Sequence, residues 1–297
     1  MSDSRFHGAG VALITPFTPA GEVDYPSLVK VTQHTVDNGI DFLVVLGTTA
    51  ETPTLTTEEK EKVIQTILEV NAGRKPVVLG IGGNDTASVI KQLQNQSLTG
   101  IQAILTVAPY YNKPNQTGLL RHFEAIGTVS PLPVIIYNVP GRTGSNISAD
   151  TTLRLASDVP NIIATKEASG NLEQIMIILR DRPAGFSVLS GDDSLTLPLV
   201  SLGAEGVISV IANLFPGEMS KMVRLATEGN LEGARRIHYE LLEIITLIFA
   251  EGSPAGIKSA LKQKGLGDDS LRLPLVPVSS ALIDKIRINL EKLGVSR

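Results

Sequence analysis

Eight short apolar runs recur along the chain at near-regular spacing, and this repetition restricts the fold more than any other feature. They are VALITPF (11–17), DFLVVLGT (41–48), PVVLGIG (76–82), AILTVAP (103–109), PVIIYNV (133–139), IIATKEA (162–168), FSVLSGD (186–192) and GVISVIAN (206–213). Their apolar character is continuous rather than alternating, the pattern of a parallel strand buried on both faces. Helical patterns fill the gaps. Thr56 and Glu59 form a capping-box signature ahead of the apolar face Val63, Ile64, Ile67 and Leu68. Asp24 is placed to cap a helix whose Leu28, Val31, Thr32 and Thr35 share one side, and Pro216 suits the first turn of another. Strand and helix thus alternate eight times, which predicts an α/β fold of the (β/α)8 TIM-barrel kind rather than an open doubly wound sheet. A length of 297 residues fits one such barrel. The eighth unit is expected to end near residue 227. Residues 228–297 are expected to form a wholly helical extension, broken near Gly229, Gly252-Ser253-Pro254 and Gly265-Leu266-Gly267.

Several function classes fall away on composition. Charged residues are 19% of the chain and apolar ones 42%, which suits a large core and not a disordered polymer. A net charge of -4 without a dense basic run argues against nucleic acid as partner. The absence of cysteine excludes disulfides and thiolate chemistry and fits a reducing cytoplasm. The first ten residues carry no signal-peptide pattern. The most apolar helical stretch, LLEIITLIFA (241–250), falls short of the roughly 20 residues of a membrane span and reads as a packing helix.

In a barrel of this kind the chemistry sits at the C-terminal ends of the strands. The polar residues there are Gly47-Thr48-Thr49-Ala50-Glu51 after the second run, Tyr110-Tyr111-Asn112 after the fourth and Tyr137 to Arg142 after the fifth. Lys166-Glu167 follow on the sixth, and Ser190-Gly191-Asp192-Asp193 on the seventh. Lys166 ends a core strand, where desolvation disfavours the ammonium and lowers its pKa. A neutral amine is a nucleophile that captures carbonyl substrates as Schiff bases. The competing reading is an ion pair with Glu167 or Asp192 that merely closes the barrel mouth. Tyr137 stands at the same height as Lys166, placed to relay protons or simply to cap the core. Arg142 follows a Pro-Gly turn on the rim and is fork-shaped for a carboxylate, or it is a solvated loop arginine. Thr48 and Thr49 offer hydroxyls and backbone N–H groups to a small anion.

Other signals are weak. GIGGND (80–85) lacks the spacing of a dinucleotide or phosphate loop and reads as a tight turn. His7, His34, His122 and His238 share no metal-ligand spacing, and Asp192-Asp193 has no further carboxylate motif beside it. Neither a catalytic metal nor a cofactor is expected.

Taken together, GTTAET, APYYNKP, YNVPGRTG, ATKEASG and SGDD resemble the dihydrodipicolinate synthase family, one of the pyruvate-dependent class I aldolases. The likeness runs from GVALITPF to the C-terminal helices. It implies a (β/α)8 barrel with a C-terminal helical extension, usually a homotetramer, condensing pyruvate with aspartate-4-semialdehyde on the way to diaminopimelate and lysine. Carried over by motif, Lys166 would form the Schiff base. Tyr137, Thr48 and Tyr111 would form the proton relay, with Tyr111 reaching in from a neighbouring subunit. Thr49 would bind the pyruvate carboxylate through its backbone and Arg142 the carboxylate of the semialdehyde. Gly191 and Ile208 would contribute backbone groups near the substrate.

Two departures from the family pattern stand out. Ala50 replaces a usual glycine, so a local rearrangement of that loop is expected if the position needs positive φ. Lysine-sensitive members carry histidines and a glutamate at an interface site. The matching positions here are Thr57, Lys60 and Ser88, while Asn84 and Tyr110 remain. A carboxylate for the effector's ammonium is missing and Lys60 adds a repelling charge, so weak or absent lysine inhibition is expected. Rival readings are another pyruvate aldolase, such as N-acetylneuraminate lyase, and a binding barrel that has lost turnover. Arg142 argues against the first and the intact set Lys166, Tyr137, Tyr111 and Thr48 against the second.

Overall fold

Eight parallel strands close on themselves in sequence order in a computed structural model that describes residues 3–295. The strands are β1 (Gly8–Ala12), β2 (Phe42–Val45), β3 (Val77–Gly80), β4 (Ala103–Val107), β5 (Val134–Asn138), β6 (Ile162–Glu167), β7 (Ser187–Ser190) and β8 (Gly206–Ser209). The helices between them are α1 (Tyr25–Asp37), α2 (Thr57–Asn71), α3 (Thr86–Asn95), α4 (Gln116–Val129), the single turn α5 (Pro140–Thr143), α6 (Ala149–Asp158), α7 (Leu172–Asp181), α8 (Thr196–Ser201) and α9 (Pro216–Thr227). Closure comes from β1 pairing with β8, Gly8 opposite Gly206 and Gly10 opposite Ile208. The expected TIM barrel is therefore what this sequence forms.

The local signals act as read. Asp24 accepts from the Ser27 N–H at the start of α1, and Pro216 opens α9. Thr56 and Glu59 make both bonds of the capping box on α2. A single substitution of such a cap typically costs about 1 kcal/mol. The first strand differs from expectation: it begins at Gly8 rather than Val11. Its glycines hide it from any apolar count, yet they are what closure requires. A Cβ on Gly10 would sit 2.1 Å from the Phe42 ring, and one on Gly206 would sit 1.9 Å from the Gly8 carbonyl oxygen.

Two apolar layers form. An inner one fills the barrel with Phe42, Val44, Val78, Leu105, Ile135, Ala164, Leu189 and Ile208, floored by Phe6 edge-on to Phe42 at 5.9 Å. An outer layer lies between strands and helices and includes Ile162. Strand alternation alone would then send Ala164 and Lys166 outward with Ile162. A register shift prevents this: Val134 pairs with Ile162 but Ile135 pairs with Ala164, leaving Ile163 as one extra residue in β6. The bulge resets the alternation so that Ala164 and Lys166 face into the barrel.

Beyond Thr227 the chain forms α10 (Leu231–Phe249), α11 (Ala255–Gln263) and α12 (Ser280–Lys292). The extension is not wholly helical as expected. Residues 264–279 are irregular, entered through Gly265 and Gly267 at positive φ and carrying Pro274 and Pro277, which cannot donate a helical bond. No helix among the described residues is long and apolar enough to cross a membrane.

Candidate active site

Strand register brings the key pair together. Tyr137 on β5 is the direct partner of Lys166 on β6, so both side chains point the same way. The Lys166 amine lies 4.3 Å from the centre of the Tyr137 ring. Lys166 is only 5% exposed. Burial lowers its pKa to about 7, opposed by the nearby Asp193 charge and reinforced by Arg142. Among the described residues no carboxylate lies within ion-pair distance of it.

The two carboxylates proposed to neutralise Lys166 are engaged elsewhere. Glu167 is buried on the opposite side of β6 and accepts from Asn138 Nδ2 at 2.8 Å and from the Ser169 hydroxyl at 2.7 Å. Asn138 in turn accepts from the Ile147 N–H at 2.9 Å, so Glu167 anchors the loop that carries α5 and Arg142. Asp192 accepts from the N–H and hydroxyl of Ser194 at 3.0 and 2.8 Å. Lys166 thus remains a desolvated amine rather than half of an ion pair.

Tyr137 is buried at the mouth, and that burial pushes its phenol up, against the pull of the Arg142 charge and the Thr48 hydroxyl. At neutral pH it is therefore a proton donor first. Thr48, Tyr137 and Arg142 line one cleft of about 330 Å³, together with Tyr110, Gly47, Lys60 and Thr143. Thr48 opens a 3-10 turn, Thr48–Ala50, directly after β2, and buried Thr49 occupies its middle. Arg142 sits on α5 and donates to the Ser253 carbonyl at 3.4 Å, a contact with the extension. Gly191 makes room for the lysine: an added Cβ would lie 3.0 Å from Lys166 Cε and 2.7 Å from the Ala168 Cβ. Its N–H donates to the Glu167 carbonyl at 2.6 Å. Ile208 lies in the inner layer of β8.

Tyr111 is the exception within the chain. It is 88% exposed, in left-handed backbone at φ 72, and does not line this cleft; its neighbour Tyr110 does. Ala50 itself does not adopt positive φ. Positive φ falls instead on Leu46 (φ 55) and Glu51 (φ 53), and Ala50 stays in the 3-10 turn.

Asp193 was legible only as half of an acidic dipeptide. In the fold it is fully buried, with Oδ2 accepting from the Val210 and Ile211 N–H groups at 3.1 and 3.0 Å. Its Oδ1 has no hydrogen-bond partner, and its charge holds the Lys166 pKa up. Lys60, read from the sequence only as an obstacle to lysine, also lines the cleft.

A closed (β/α)8 barrel with a desolvated lysine beside a tyrosine at its C-terminal mouth defines a lyase of the class I aldolase type. Comparison with known proteins names the group. The profile of the dihydrodipicolinate synthetase family matches residues 5–293. A 4-hydroxy-tetrahydrodipicolinate synthase of Parabacteroides distasonis is 52% identical over 295 residues, covering 99% of each chain. The crystal structure of dihydrodipicolinate synthase from Aquifex aeolicus superposes with a TM-score of 0.94 at 45% identity, covering 98% of this chain and 99% of that one. That of the chloride-inhibited enzyme from Acinetobacter baumannii complexed with pyruvate gives 0.94 at 37% identity, covering 97% and 99%. The chain belongs to the dihydrodipicolinate synthetase family.

Proposed function

We infer that this chain is a 4-hydroxy-tetrahydrodipicolinate synthase, condensing pyruvate with L-aspartate-4-semialdehyde in lysine and diaminopimelate biosynthesis. The observation that carries the reading is the unpaired, buried Lys166 amine, its pKa lowered to about 7, held beside Tyr137. Full-length relatives of about half-identical sequence carry that name.

The chemistry follows from these groups. The neutral Lys166 amine adds to the pyruvate ketone, and the resulting carbinolamine loses water to give a protonated Schiff base. The electron sink acidifies the pyruvate methyl, whose proton leaves through the relay of Tyr137, Thr48 and the Tyr111 of a neighbouring subunit. The enamine carbon attacks the aldehyde, forming the carbon–carbon bond, and the aldehyde oxygen takes a proton to become a hydroxyl. The substrate's own amine then closes onto the imine carbon and expels Lys166. One water is released overall. The Thr49 backbone and the backbone groups of Gly191 and Ile208 hold the pyruvate end, and Arg142 binds the semialdehyde carboxylate at the entrance. No cofactor or metal is required by any of these steps.

The same reading covers the assembly. Residues 1–227 act as the catalytic barrel and 228–297 as its helical extension. A cytoplasmic homotetramer, in which the exposed Tyr111 enters the neighbour's site, accounts for an aromatic standing free on a strained loop. Neither nucleic acid nor membrane is a partner. Lysine inhibits weakly or not at all. In the fold, Lys60 lines the cleft and Ser88 is bonded to the α3 cap Asp85, leaving no carboxylate at the three departing positions.

Incubation with pyruvate, reduction with borohydride and intact-mass measurement test the reading. A covalent adduct that disappears in Lys166→Ala supports it, and no adduct on the wild type would sink it. A coupled assay comparing aspartate-4-semialdehyde with N-acetylneuraminate then separates the synthase from a sugar-acid lyase.

A further inference from the structure

The extension meets the catalytic mouth at Glu51. This residue ends the Thr48–Ala50 turn and begins the next 3-10 turn, Thr52–Thr54, in left-handed backbone at φ 53 and ψ 35. Such backbone is strained for any residue with a Cβ, and it persists only where the surroundings dictate it. Here the surroundings come from sequence more than 200 residues away. Glu51 Oε1 accepts from Lys258 Nζ of α11 at 2.5 Å, and Oε2 accepts from the Arg272 backbone N–H at 3.2 Å. Both side chains of the Glu51–Lys258 pair are fully buried.

The partners are themselves fixed. Lys258 also donates to the Ser270 carbonyl at 3.0 Å and lies 4.1 Å from the centre of the Phe17 ring. The Arg272 guanidinium lies 4.5 Å from the same ring and grips both oxygens of Glu59, at 2.7 and 2.5 Å. It also donates to the carbonyls of Thr54 at 2.7 Å and Gly21 at 2.8 Å. The turn that follows Thr48 and Thr49 is thus bolted to α11 and to the irregular segment after it. Burial lowers the Lys258 pKa to about 8 although the Glu51 charge opposes this, so desolvation is only partly offset. A buried pair of this kind contributes little net stability compared with an apolar pair of the same volume. Its distinctive property is direction: charge-assisted bonds fix where the Glu51 backbone lies, and apolar contact does not.

We propose that Glu51 is a positioning residue, clamped by Lys258 and Arg272 so that the Thr48–Ala50 turn presents the Thr48 hydroxyl and the Thr49 N–H to pyruvate. The extension then belongs to the catalytic apparatus. The inference rests on the synthase reading, in which those two threonines act on pyruvate.

The test compares Lys258→Met, Glu51→Gln, the double Glu51→Met/Lys258→Met and the conservative Lys258→Arg. Ile286→Ala, a buried core position on α12, serves as a destabilised control. Each full-length protein is assayed below its own melting temperature for kcat, KM for pyruvate and the borohydride-trapped adduct. Lys258→Met, Glu51→Gln and the double are expected to raise KM for pyruvate and lower kcat, each at least tenfold. Lys166 should still be trapped at saturating pyruvate. Lys258→Arg should keep activity within about threefold of wild type, and Ile286→Ala should melt earlier with unchanged kcat and KM. The double matters most, because it restores packing without charge. If the folded double works within twofold of wild type, the clamp is structural and the proposal is overturned. Should Lys258→Met fail to fold, Glu51→Gln, which keeps shape and an acceptor oxygen, decides in the same way. A wild-type protein that traps no pyruvate removes the synthase reading and this inference with it.

Discussion

Schiff-base formation should switch off on acidification along a curve set by Lys166. With a pKa of about 7 the amine is half neutral at pH 7, about one-tenth neutral at pH 6 and about one-hundredth at pH 5. An ordinary lysine at 10.5 would be neutral in roughly one molecule in three thousand at pH 7. Burial thus raises the reactive fraction by roughly three orders of magnitude at neutral pH. The assay is single-turnover trapping: enzyme is mixed with subsaturating pyruvate, quenched with borohydride at intervals and weighed. The trapping rate should fall tenfold per pH unit below 7 and level off above 8. Asp193→Asn sharpens the experiment, since it keeps an acceptor for the Val210 and Ile211 N–H groups but removes the charge that holds the Lys166 pKa up. Its curve should move to lower pH. A rate that keeps climbing tenfold per unit up to pH 10 would refute the desolvation argument. An Asp193→Asn curve displaced to higher pH would refute the assigned role of that charge.

Three further outcomes are expected. Gly191→Ala puts a methyl 3.0 Å from Lys166 Cε, and displacing the amine by a fraction of an ångström should lower kcat on the order of 100-fold without preventing folding, checked by steady-state kinetics and circular dichroism. Arg142→Ala should leave pyruvate trapping intact while kcat/KM for the semialdehyde drops about 10- to 150-fold, matching the roughly 1.5–3 kcal/mol of a charged hydrogen bond. Adding lysine at millimolar concentration should leave the condensation rate unchanged; halving of the rate would contradict the reading of Thr57, Lys60 and Ser88.

Much of this was open to inspection in the sequence because the strands of a parallel barrel are buried on both faces and announce themselves as unbroken apolar runs. Seven of the eight strands lie within the runs that suggested them. The first does so only in part, since Gly8 and Gly10 answer to a close approach in space that no local pattern encodes. Residues 264–279 are kept out of helix by glycine and proline, which the sequence shows locally. For the candidate site, Lys166, Tyr137, Thr48 and Arg142 were legible as strand-end polar groups, and register brings the first two side by side. The second ring of support was not legible. Glu167 clamping Asn138 spans 29 residues, and Lys258 reaching Glu51 spans 207, and neither pairing leaves any trace in local periodicity.

The bulge at Ile163 carries a consequence for how such a site can be lost. Lys166 faces the barrel because β6 holds one more residue than its neighbour, so the reactive amine is addressed by counting rather than by chemistry. Deleting Ile163 would restore plain alternation from Ile162 and leave Ala164 and Lys166 inward, whereas inserting one residue between Ala164 and Lys166 would send the lysine to the helices. A family that drifts by loop insertion, or that loses the spare residue at the bulge, keeps its nucleophile; one that gains a single codon between Ala164 and Lys166 forfeits it while every signature residue is still present.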